Sequence, residues 1–70
     1  MFPNLSAEIA RKQMNLKMLS EQTGIKYETL KLKMRGVTEF LLPEMRRIKS
    51  VFPHCSMDYL FESDGKIEEA

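Results

Sequence analysis

NLKMLSEQTGIKYETLKLKMRG, residues 15–36, decides the fold. Asn15 is a strong helix-capping residue type, and the stretch LKMLSEQT after it holds no glycine or proline. Gly24 then stands where a helix closes on a left-handed residue, a backbone state open to glycine without steric cost. Ile25 follows that turn directly and is expected to point inward, fixing the angle between two helices. Leu19 is the expected core residue of the first helix, with Leu16 or Thr23 beside it. Ser20, small and one turn before Gly24, lets the next helix approach closely. The second helix is predicted from about residue 26 or 27 to 34 or 35 and is stopped by Gly36. Leu30 and Met34, four apart, share its inner face. Tyr27, Glu28, Lys31, Leu32 and Arg35 form its outer face, with Lys33 toward one side.

The flanks extend the helical pattern. Pro3-Asn4 reads as a helix start with Asn4 as cap, Glu8 near the positive helix end, and Leu5 and Ile9 on the 3.6-residue period. Arg11 and Lys12 suit the helix C-terminus, and Met14 belongs to the core in the turn that follows. Residues 37–41 read as a linker. Pro43 fits the first turn of a fourth helix, with Met45, Ile48 and Phe52 inward and Pro53 as its stop. Ser56 caps a short last helix, with Asp58 in its first turn and Leu60 and Phe61 as anchors. No alternating strand pattern and no hairpin signal occurs. The expected fold is all-α, a compact bundle of five short helices.

Seventy residues make one domain, with a small core. Chains of this size bury only about 60% of their unfolded surface. Six methionines fit an adaptable core. The single cysteine, Cys55, excludes an internal disulfide framework. The longest apolar run, 40–42, is far short of the roughly 20 residues that span a membrane. The N-terminus has no basic region followed by an apolar stretch, so no signal peptide is expected and the expected location is cytoplasmic. The formal charge of +1 hides an asymmetry. Residues 62–70 carry −3, which leaves +4 on the expected domain, residues 1–61. The tail is expected to be acidic and flexible.

Residues 15–36 resemble the helix-turn-helix of the phage lambda repressor and Cro family of small DNA-binding domains. Leu19, Ser20, Gly24, Ile25, Leu30 and Met34 carry the likeness, with Arg35-Gly36 closing the second helix of the pair. The helix after 40–43 and the ending Ser56-Met57-Asp58-Tyr59-Leu60-Phe61 extend it over about residues 5–61. Departures are Leu16 where the family often has a phosphate-binding Gln, Ser20 for Ala, Thr23 for an aliphatic residue, and Lys33 where some members have an apolar core residue.

The resemblance implies a transcriptional regulator whose third helix, about 26–35, enters the major groove of double-stranded DNA while the second crosses the backbone. Expected base contacts are Tyr27, Glu28, Thr29, Lys31 and Leu32. Glu28 can accept from cytosine N4, Lys31 can reach guanine O6 or N7, and Leu32 can meet a thymine methyl. Expected phosphate contacts are Lys17, Lys26, Lys33 and Arg35, with Asn15 and the neighbouring amides at a helix N-terminus. Family members commonly bind pseudo-palindromes as dimers with half-sites about 34 Å apart. A homodimer here would use the last helix and tail, or form only on DNA.

The competing expectation is a protein-interaction module on the same scaffold, of the antirepressor-adaptor or antitoxin kind, favoured by Met18 and Leu32 if both are exposed. Arg46, Arg47 and Lys49 form a second basic patch, expected to be a solvated face. No enzyme, cofactor or small-molecule ligand is expected. His54 and Cys55 are adjacent, and no further ligand is spaced along the chain for a tetrahedral metal site. Both are expected to be ordinary loop residues.

Overall fold

Local signals place the helices almost where the sequence puts them. A computed structural model describes residues 2–64. It holds α1 (Pro3–Arg11), α2 (Leu16–Thr23), α3 (Tyr27–Met34), α4 (Leu42–Val51) and α5 (Met57–Leu60). No strand occurs among the described residues. None of their helices is long and apolar enough to cross a membrane. The expected acidic tail lies outside the described residues from position 65 onward.

Each boundary has a chemical cause. Asn15 Oδ1 accepts the Met18 N–H at 2.8 Å and opens α2. Ser56 accepts from the Tyr59 N–H at 3.1 Å and opens α5. The α1 start differs from expectation. Pro3 takes the first helical position, where its missing N–H is harmless. Asn4 is therefore inside the helix, and its Nδ2 donates to the Tyr59 carbonyl at 2.9 Å and to Glu62 at 3.1 Å. Instead of capping α1, Asn4 ties it to α5 and to Glu62 just beyond it.

Two helices close with the same C-terminal motif. After α1, Gln13 N–H reaches the Ala10 carbonyl and Met14 N–H the Ile9 carbonyl, with Gln13 left-handed at φ 56°. After α3, Gly36 N–H reaches the Lys33 carbonyl and Val37 N–H the Leu32 carbonyl, with Gly36 at φ 84°. Between α2 and α3, Gly24 sits at φ 77° and its N–H bonds the Ser20 carbonyl at 2.9 Å. A Cβ at Gly24 would meet nothing within 4 Å, so backbone conformation alone calls for glycine here.

Every helix sends one fully buried side chain to a common centre: Leu5, Leu19, Leu30, Ile48 and Leu60, with Phe52 just after α4. Each such side chain contributes about 1.5–3 kcal/mol relative to exposure. Five helices too short to persist alone are stabilised through that shared centre. A second apolar layer joins the residues flanking α1 and α5 to the linker before α4. Phe2, Phe40 and Phe61 meet edge to face, with ring centroids 5.1–6.2 Å apart. The linker expected at 37–41 therefore carries a core residue, Phe40.

Candidate functional site

Gly24 and the residues beside it set the geometry of α2 against α3. Thr23 lies in the core at the end of α2, and its hydroxyl donates to the Leu19 carbonyl at 2.8 Å. The same oxygen accepts the Ile25 N–H at 3.4 Å. Thr23 thus links the last turn of α2 to the first residue after the glycine. Ile25 is buried, as are Leu30 and Met34 on the inner face of α3. With those three inward, the opposite side of α3 faces solvent.

On that side Tyr27, Glu28, Lys31 and Leu32 are exposed and Thr29 is half-buried. Asn15, Lys17 and Lys26 are exposed nearby in sequence. Asn15, Leu16, Lys17 and Tyr27 line one shallow concavity, so the N-terminus of α2 and the start of α3 share a surface. No side chain caps α3 at Lys26. A second concavity runs from Met14 to Leu16 and on to Lys31 and Arg35, with Ile9 and Met34 at its floor. Arg35 is half-buried and already engaged in the protein.

Lys33 departs from its expected place. It is only 7% exposed, and its ammonium donates to Glu44 Oε1 at 2.5 Å and to the Glu39 carbonyl at 3.1 Å. Glu44 Oε1 also accepts the Leu41 N–H at 2.8 Å, at the start of α4. Burial pushes the Glu44 carboxyl up, but the Lys33 and Leu41 donors and the charges of Lys33 and Arg47 hold it below its ordinary value. An ammonium committed in this way positions α4 against α3 and is not presented to a phosphate. Lys33 leaves the set of phosphate contacts for that reason.

Leu32 also gains a structural setting. Leu32 and Val37 are the positions of the α3 terminal motif at which an apolar pair is common. They are 40% and 50% exposed, and Leu41 and Leu42 further along are 61% and 51% exposed.

Glu8 is the polar residue whose role the sequence concealed. It was expected near the positive end of a helix and instead lies buried on α1. Its Oε2 accepts from the Tyr59 hydroxyl at 2.9 Å and from Arg11 at 2.9 Å, while Oε1 faces His54 Nε2 at 3.4 Å. The Tyr59 hydrogen bond is the strongest influence on this carboxyl and lowers its pKa, against burial, with His54, Arg11 and Cys55 lowering it further. His54 and Cys55 are thus not merely loop residues: Glu8 packs against both. Their adjacency in sequence did not reveal this partner, because Glu8 lies 46 positions from His54.

Comparison with known proteins finds no matching family model, no matching curated protein and no matching solved structure.

Proposed function

We propose that this chain is a sequence-specific DNA-binding transcriptional regulator of the repressor and Cro type, built on a helix-turn-helix formed by α2 and α3. In this reading α3 lies in the major groove and α2 crosses the phosphate backbone. The observation that carries it is the solvent-facing side of α3, which offers hydrogen-bonding groups and a cation on a helix anchored from behind by Ile25, Leu30 and Met34. Eight residues of α3 span about 12 Å. With its side chains a helix is about 10–12 Å across, which a major groove about 12 Å wide admits.

Tyr27, Glu28, Thr29, Lys31 and Leu32 would then face base edges. Lys17, Lys26 and the amides after Asn15 would meet phosphates. Arg35, half-buried, would reach a phosphate only from the rim of the α1–α3 concavity. One domain with so few cations binds weakly alone, and a homodimer on a two-fold site is the expected active form. The test is selection from a random duplex pool, repeated at rising salt. Enrichment of one sequence with a steep salt dependence supports the reading, and no enrichment sinks it.

A second reading, a protein-docking module, draws on Leu32, Val37, Leu41 and Leu42, all exposed. It predicts binding of a protein partner with little salt dependence and no selected duplex.

A further inference from the structure

Glu8, His54 and Cys55 bring three different metal-binding side chains together. One carboxylate oxygen, one ring nitrogen and the thiol all lie within 4.8 Å of one another. Glu8 comes from α1, and His54 and Cys55 come from the segment between α4 and α5. Glu8 and Cys55 are buried and His54 is exposed, so the carboxylate and thiol form the floor and the imidazole the rim.

The surroundings already orient the carboxylate. The Tyr59 hydroxyl and Arg11 both hold Oε2, which leaves Oε1 directed at His54 Nε2. Outer hydrogen bonds of this kind fix the lone pair a ligand presents to a cation. A carboxylate, an imidazole and a thiolate, with water in a fourth position, make an open tetrahedral set for a borderline-soft ion. At ordinary bond lengths such donors stand about 3.3–3.8 Å apart. The contraction required is small, and the exposed His54 ring has room to make it.

We propose that Glu8, His54 and Cys55 form a binding site for one thiophilic divalent cation of the zinc class. The carboxylate and the thiolate together balance the two charges of the ion. Binding displaces the thiol proton to solvent, and the cation takes its place on Sγ. Because the thiol must lose its proton to bind, affinity rises with pH. The Arg11 guanidinium beside Glu8 opposes the ion and keeps affinity moderate. No member of the triad lies on α2 or α3, so an ion here does not occupy the face proposed for DNA. It clips α1 to the approach to α5.

Cobalt(II) is the probe. The chain has one cysteine and one histidine, so a thiolate-to-cobalt charge-transfer band can arise only from Cys55. The full chain, reduced and metal-free, is titrated with cobalt and then with zinc. The expected result is a near-ultraviolet band that saturates at one ion per chain, is displaced by zinc and is absent in Cys55→Ala. His54→Gln changes an exposed side chain outside the apolar core, and it should weaken cobalt binding at least about tenfold. Failure of the band to form overturns the site. So does saturation at one ion per two chains, or a band that His54→Gln leaves unchanged. His54 lies outside the apolar core, and a far-ultraviolet spectrum of His54→Gln checks that it is folded, so the test holds even if Cys55→Ala unfolds.

Discussion

The Tyr59 hydroxyl donates to Glu8 Oε2 at 2.9 Å, joining α5 to α1 across 51 positions of sequence. The bond holds the Glu8 carboxyl below its ordinary range and pushes the Tyr59 hydroxyl above its own. With Asn4 donating to the Tyr59 carbonyl, one tyrosine fixes the last helix to the first from both its side chain and its backbone.

This network gives stability a defined pH dependence. A carboxyl whose folded pKa is lowered, as for Glu8 and Glu44, stabilises the fold fully above the ordinary carboxylate pKa. That contribution is lost as pH falls through the lowered folded value. Cys55 and Tyr59 have raised folded values, so their contribution is present below the ordinary thiol and phenol values and lost as pH rises through the raised ones. Stability should form a plateau around neutral pH with an acid and an alkaline limb. Urea midpoints measured across pH should show a shallower acid limb in Tyr59→Phe, because Glu8 then titrates nearer its ordinary value. Superimposable limbs in the variant and the parent would remove Glu8 as the cause.

Two left-handed residues should respond in opposite directions. Gly24→Ala places a Cβ in open space at φ 77°, so its cost is conformational and about 1–2 kcal/mol. Gln13→Gly relieves a non-glycine residue held at φ 56°. It should be neutral or stabilising by up to about 1 kcal/mol, since glycine also raises unfolded-state entropy. Thermal melts of the two variants decide this, and equal destabilisation would rule it out.

Lys33 and Lys17 should separate structure from binding. Lys33→Met leaves Glu44 partly buried without its cation and should cost about 2 kcal/mol of stability. At temperatures where the variant is folded, its DNA salt dependence should match the parent. Lys17→Ala lies on the surface and should leave the melting temperature unchanged. It should weaken all duplexes alike and reduce the salt slope by about one. A reduced slope in Lys33→Met would return that residue to the phosphate contacts.

Lys31 should affect preference more than affinity. Lys31→Ala is expected to cost about 1–3 kcal/mol on the selected sequence and little on random duplex, relaxing one base position. Selection repeated with the variant measures this directly. If Lys31→Ala and Lys17→Ala behave the same, the division between base and phosphate contacts fails.

The helices, the glycine turns and the apolar centre were legible in the chain by itself. Capping at Asn15 and Ser56, the stops at Gly24 and Gly36, and the four-residue spacing of Leu5 and Ile9 and of Leu30 and Met34 act over one or two turns, and local patterns record local causes. Exposure of Glu28 and Lys31 followed once the inner face of α3 was known, and that of Lys17 once the inner face of α2 was known. The tertiary structure alone decided which charged residues go inside. Lys33 is buried because Glu44, 11 positions away, supplies its counter-charge. Glu8 is buried because Tyr59 and His54 arrive from 51 and 46 positions away. A charged residue in a helical pattern reads as surface, since burying it unpaired is too costly. Only the fold brings the partner that reverses that sign, and partners distant in sequence leave no periodic trace.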